Sequence, residues 1–485
     1  MLNFLKYGKP NISYANKRES REEIAVMKKK LIGGIACMAL ALLVGCGNGG
    51  NDENSGSGNS FADQSGSNTG NNGSAKGSVY YLNFKPEVDS VWQQIAAQYT
   101  NETGVPVKVV TAANNTYEQT LMSEIANKDA PTLFQINGPV GYQNWKDYCA
   151  DLSGSQLYDW LLDKNMVVEG DDGKIYGIAY VVEGYGIIYN NSIMNKYFAL
   201  DGAKAASMDE IKNFQTLKAV VEDMQARKDE LGIKGVFAST SLNPSDTWRW
   251  QTHLANIPIH YELREKNVSD LKDLEFIYAE NYRNIFDLYL NNSGTAKGLL
   301  GNKSVDDSMT EFALGQVAMV QNGNWAWGQI SDVQGNTVSE EDVRFLPIYT
   351  GMQGEENQGI CIGTENFMAV NSKASAENQA ASLAFLEWLF SSEVGKNFVT
   401  NELEFITPFN TFGETERPKD PLAKEVLRYM NDDTRENITW DFVIFPSQQF
   451  KDDFGDALLE YASGGKTFDQ VKEIVVQRWA AEKNL

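Results

Sequence analysis

Between Val79 and Ile136 the spacing of apolar residues changes repeatedly. "VYYLNF" (79–84), apolar but for Asn83, predicts a strand. In "EVDSVWQQIAAQYTNETG" (87–104), Val88, Val91, Trp92, Ile95 and Tyr99 recur at helical spacing, and the pattern stops at Gly104. Then come a strand-like "VPVKVV" (105–110), a polar helix near 115–128 and a further strand, "PTLFQI" (131–136). A β-α-β-α-β order favours a parallel sheet covered by helices. Ligands of such sheets collect beyond the carboxyl ends of the strands. Here those ends are "NFKPE" (83–87), "TAANNTYE" (111–118) and "QINGP" (135–139).

The N-terminal region is patterned differently. "MKKKLIGGIACMALALLVG" (27–45) has a basic start, a short apolar core and small residues at its end, the layout of a signal peptide. Its apolar run, 31–44, is shorter than the ~20 residues a membrane-spanning helix needs. "LVGC" (43–46) resembles the lipobox of bacterial lipoproteins, which implies a lipidated Cys46 as the first mature residue. Residues 46–78 then form a Gly/Ser/Asn tether with no periodicity, expected to be disordered. A flexible stretch of that length reaches about 30 Å, enough to hold a globular body clear of a membrane. Residues 1–26 read as an upstream extension, in keeping with a misassigned start.

Charge narrows the partners. The chain carries a net charge of −23 over 485 residues, although residues 1–30 hold eight Lys/Arg against three Glu. The remainder is therefore more acidic still. Such a body repels nucleic acid and anionic headgroups, so no nucleic acid is expected and the membrane is reached through the lipid anchor only. Hydrophobic residues make up 42%, as in a packed soluble protein, and the length suggests two or three domains.

Three segments, "YGIAYVVEGYGIIYNNSIMNK" (176–196), "EFALGQVAMVQNGNWAWGQI" (311–330) and "NQAASLAFLEWLFSSEVGKNF" (378–398), resemble signature regions of extracellular solute-binding proteins of ABC importers. The likeness is to the family 1, carbohydrate-binding type related to maltose-binding protein. "GGKTFDQVKEIVVQRWA" (464–480) resembles that family's closing helix. The resemblance implies an α/β, two-lobed periplasmic-binding-protein-like fold with hinge strands and an inter-lobe cleft. It places crossings near 178–188, 313–321 and 366–372, lobe one at 78–180 plus 316–368, and lobe two at 181–315 plus 369–485. It implies a monomeric, non-enzymatic receptor without cofactor. Such a receptor is lipid-anchored outside the cytoplasmic membrane and delivers an oligosaccharide to ABC transporter permease subunits. A secreted glycoside-active enzyme and a non-catalytic peptide-binding or adhesion lipoprotein are the alternatives.

Sugars present hydroxyls and apolar C–H faces, which call for carboxylates or amides and for aromatic planes. Trp325 and Trp327 in "NGNWAWG" and Trp248 and Trp250 in "NPSDTWRWQTH" are candidate platforms, with core packing as the other reading. Trp440 is a further candidate, whereas Trp388 reads as core. The resemblance points to Glu183, in "VVEGYGIIYN", as the sugar-contacting carboxylate, with Tyr185 beside it. Glu87, Tyr117, Glu118, Gln135, Asn137, Asn322 and Glu365 flank the expected cleft, where a solvated or capping role is the alternative for each.

Other motifs carry less. "GCGNGG" (45–50) follows a signal peptide rather than a strand, so it is no dinucleotide fingerprint. "GGKT" (464–467) lacks the leading glycine of a phosphate loop. His253 and His260 lack a zinc-site context, and no metal is expected. Under the resemblance Cys149 and Cys361 both fall in lobe one, where a disulfide is conceivable and buried free thiols are the default.

Overall fold

Strand β1 (Val79–Asn83), fully buried, pairs in parallel with β2 (Val107–Thr111) and with β3 (Leu133–Asn137). This start of the first sheet is what the apolar spacing predicts. It is taken from a computed structural model that describes residues 76–112 and 116–483. The upstream extension, signal segment, Cys46 and nearly all of the tether lie outside these residues. Strands β4 (Val167–Glu169) and β5 (Ile175–Ala179) form the far edge of the same sheet.

The chain next crosses, through residues 180–182, into a second sheet. That sheet holds β6 (Glu183–Asn190), β7 (Gly235–Phe237), β8 (Val317–Gly323), β9 (Val343–Leu346) and β10 (Gln358–Gly363). Residues 364–365 cross back to β11 (Asn366–Val370), which inserts antiparallel between β3 and β5. A last passage includes the isolated bridge of Val182 with Ile406 and leads to β12 (Glu436–Thr439), which completes the second sheet.

Helices cover both sheets. Helix α1 (Asp89–Thr103) buries Trp92, Ile95 and Tyr99, and ends at Gly104 with φ of 71°, a left-handed stop that glycine adopts without a Cβ clash. Helices α2 (Tyr117–Glu124) and α3 (Gly138–Trp145) start where β2 and β3 deliver the chain to the cleft. Helix α4 (Ala376–Ser391), capped by the Ser375 hydroxyl, packs Phe385, Leu386 and Leu389 onto the first lobe's core. Trp388 rests partly buried on that core, and its indole N–H donates to Glu102 at 2.9 Å. Helix α5 (Gln448–Ala462) packs Phe450, Phe454 and Leu458 into the second lobe.

The sheet pairings divide the chain differently from the family-based expectation. Strand β8 runs antiparallel to β6 and parallel to β7, so the segment near 313–321 is no crossing. It and β10, expected in lobe one, belong to the second lobe, while 369–401, expected in lobe two, packs with the first. A short, buried strand looks the same in either sheet, and hydrogen-bonded register decides its membership. The correction separates the thiols: Cys149 lies in a first-lobe cluster and Cys361 on β10 of the second sheet, and both are free and buried.

Candidate functional site

The carboxyl ends of β1, β2 and β3 open on a cavity that second-lobe residues close from the other side. Its volume is about 170 Å³. One water needs only ~10–15 Å³, so this is ligand-sized space rather than a packing defect.

The first-lobe wall starts with a clamp. Asn83 accepts from the Lys85 backbone N–H at 3.1 Å and donates to the Lys85 carbonyl at 2.8 Å, which fixes the turn after β1. The Lys85 ammonium lies 2.7 Å from Glu183 and 3.7 Å from Glu87. Tyr117 offers only its ring, because its hydroxyl donates to the Leu82 carbonyl and accepts from the Gln135 N–H. Glu118 accepts from the Trp145 indole at 2.9 Å, and Asn137 donates to Glu365 at 3.4 Å.

The second-lobe wall is aromatic. Trp248 and Trp325 border the cavity with ring centres 6.0 Å apart. Trp325 folds back over Gly323, where any Cβ would come within 2.1 Å of the indole, so only glycine permits that placement. His253 lies 5.1 Å from Trp248 and 5.6 Å from Trp325, and stacks on Tyr185 at 4.4 Å.

Eight of the residues expected from sequence thus border one cavity: Glu87, Tyr117, Glu118, Asn137, Glu183, Trp248, Trp325 and Glu365. Five do not. Gln135 is buried, accepting from the Phe84 N–H at 2.8 Å and donating to the Tyr180 hydroxyl, and thereby braces the first wall. Tyr185 points away, its hydroxyl on the His253 carbonyl at 2.8 Å. Trp250 packs on Phe286 and Tyr289 with its N–H on the Ser241 carbonyl at 3.0 Å. Asn322 bonds its own following N–H and lies against Met309. Trp440 backs the wall, 6.4 Å behind Trp325. Trp327 is likewise core. Two residues apart on β6, Glu183 and Tyr185 share a face of the strand, and position along it divides them: Glu183, at the start of the strand, reaches the cavity, while Tyr185 lies further in, against His253 and Trp440.

Sequence reasoning passed over Lys85, Gln251, His253 and Lys451. Lys85 stands within a strand-end segment singled out for ligands, so its position was legible and its role was not. His253 was weighed only as a metal ligand. Lys451 occupies a polar position of α5, where nothing local marks a cavity residue.

Burial sets the electrostatics. It opposes the Lys85 ammonium, yet Glu183, Glu87 and Glu365 outweigh it, and the pKa is raised. Burial pushes Glu365 up to about 7 against the pull of Lys451 and Lys85. Glu87 and Glu118 are raised for the same reason, opposed by Lys85 and by the Trp145 hydrogen bond respectively. Lys451 is lowered by burial, with Glu365 and Glu118 resisting. Burial, aided by Arg249, Lys85 and Lys451, takes His253 down to about 3, so its ring is neutral at pH 7. Among the described residues no three His, Cys, Asp or Glu side chains converge as a metal site.

Two sheets, three crossings and a cavity between the lobes define the two-lobed α/β binding-protein class. The chain belongs to the bacterial extracellular solute-binding protein family, whose sequence pattern matches residues 94–423. Solved structures agree on the fold. A chitin oligosaccharide binding protein aligns at 16% identity with a TM-score of 0.62, covering 84% of this chain and 99% of its own. The RafE solute-binding protein in complex with raffinose aligns at 17% identity and 0.62, over 84% and 99%. The GacH receptor of Streptomyces glaucescens aligns at 16% and 0.60, again over 84% and 99%. Comparison with curated protein sequences gives no match.

Proposed function

We propose that this chain captures an oligosaccharide in the inter-lobe cavity and delivers it to the permease of an ABC importer, held to the outer face of the cell membrane by lipid on Cys46. The observation that carries this reading is the pairing of Trp248 and Trp325 with the Glu183, Glu87 and Glu365 carboxylates around one cavity. The indoles offer planes for sugar C–H faces, and the carboxylates accept from hydroxyls in charge-assisted bonds. Solved relatives named for chitin oligosaccharide and raffinose support a sugar as the ligand. The family is extracellular, and among the described residues no helix is long and apolar enough to cross a membrane. Capture then works by closure: contacts from both lobes on one ligand favour the closed arrangement, and the crossings at 180–182 and 364–365 absorb the movement.

Calorimetry against raffinose, maltotriose, xylotriose and triacetylchitotriose tests the reading, with an assay for new reducing ends. Binding without turnover, with compaction in solution scattering, is the expected result. New reducing ends would show a hydrolase instead, and indifference to every sugar would overturn oligosaccharide capture.

A further inference from the structure

Gln251 stands out on the second-lobe wall. It is fully buried, it borders the cavity, and neither its carboxamide oxygen nor its nitrogen has a hydrogen-bond partner among the described residues. Its neighbours are well supplied: Arg249 bonds the Gln321 carbonyl and Ser308, and the Trp250 N–H bonds the Ser241 carbonyl. Buried polar groups are almost always paired, so one left unpaired beside a cavity calls for an explanation, and a ligand in that cavity supplies one. The amide is carried on a π-helical turn, Arg249–Leu254, whose widened backbone brings Trp248, Gln251 and His253 to the same cavity. Gln329, on the helix after Trp325, adds a second cavity-bordering side chain whose amide oxygen is buried and unpaired.

We propose that Gln251 is the specificity-determining residue of the site, reading two adjacent hydroxyls of a neutral sugar ring beside the Trp248–Trp325 pair. This rests on the oligosaccharide reading above. A primary carboxamide places one acceptor and two donors side by side. Adjacent ring hydroxyls match it: one donates to Oε1 while the other accepts from Nε2. An acetamido substituent does not, because its trans amide points N–H and C=O in opposite directions. A carboxylate sugar is disfavoured in addition, since Glu87, Glu118, Glu183 and Glu365 outnumber Lys85 and Lys451 around the same space.

The test uses Gln251→Leu, which keeps the bulk and removes both polar atoms, on the folded chain lacking its signal segment. Two readouts are taken: the melting temperature without sugar, and affinity for raffinose, maltotriose, xylotriose and triacetylchitotriose. The expected result is a melting temperature equal to or above that of the unsubstituted protein, with affinity for the sugar it binds reduced tenfold or more. Monodeoxy analogues of that sugar should then weaken binding to the unsubstituted protein at two adjacent positions and leave Gln251→Leu indifferent there. A fall of several degrees in the sugar-free melting temperature would make Gln251 structural and overturn the proposal. Unchanged affinity would overturn it while the oligosaccharide reading stands. If the unsubstituted protein binds none of the four sugars, both readings fall together.

Discussion

The Lys85 ammonium and the Glu183 carboxylate meet at 2.7 Å, with 7% and 6% of their side chains exposed. One comes from the turn after the first strand of lobe one, the other from the first residue of the strand that enters lobe two. The pair therefore ties a ligand wall to a crossing.

Breaking a buried ion pair by removing one partner typically costs about 3–5 kcal/mol, because the other charge is left uncompensated. Lys85→Met should destabilise the sugar-free protein by that order in chemical denaturation. Glu183→Gln should cost less, since Glu87 remains 3.7 Å from the ammonium. Combining Lys85→Met with Glu183→Gln should recover part of the loss. Additive effects of the two substitutions would mean that the pair carries no coupling.

Trp325 and Trp250 should behave oppositely. Trp325→Ala removes a cavity plane worth ~0.5–1.5 kcal/mol beyond its buried area, so sugar affinity should fall at least tenfold. Trp250, 3% exposed in the second-lobe core, is out of reach of the ligand. Trp250→Ala should cost about 3–5 kcal/mol of stability, with normal affinity in the fraction that folds. Calorimetry paired with thermal melting separates the two, and a loss of affinity without loss of stability at Trp250 would reverse the assignment.

A pH signature follows from Glu365, raised by burial from an ordinary value of 4.5 to about 7. A carboxyl held above its unfolded value binds its proton more tightly in the folded chain. Its support is complete below pH 4.5 and is lost as the pH rises through about 7. Glu404 and Asp420, raised by burial to about 7 and about 6, act in the same direction. Denaturation of the unsubstituted protein and Glu365→Gln between pH 5 and 8 should show a shallower decline in the variant. Parallel curves would place the Glu365 carboxyl in the ordinary range.

Cys46 lies outside the described residues, and its role is testable in cells. Cys46→Ser should move the protein from the membrane fraction into the medium or leave its signal segment uncleaved. Unchanged membrane fractionation would remove the lipid anchor from the account.

Local spacing alone determined the start of the first sheet, the stop at Gly104, and the strand ends that face the cavity. These are short-range properties: an apolar period selects helix or strand, and a parallel order selects the end where ligands gather. Glu183 and Trp325 also came from the sequence, through likeness to a family. Sheet membership did not. Strands β8 and β10 were placed in the other lobe by family likeness, because the local pattern of a short buried strand satisfies either sheet, and only pairing with β6 settles the choice. Tertiary structure likewise decided which aromatic faces the cavity. Trp248 and Trp250 are two residues apart in one segment, and the helical backbone there turns the first to the cavity and the second into the core. Lys85 acquires its role from Glu183, 98 residues away in sequence, Lys451 from Glu365 and Glu118, and Gln251 from the lack of any side-chain hydrogen-bond partner among the described residues. Neither condition leaves a trace in local sequence, because burial and pairing are properties of the assembled lobes.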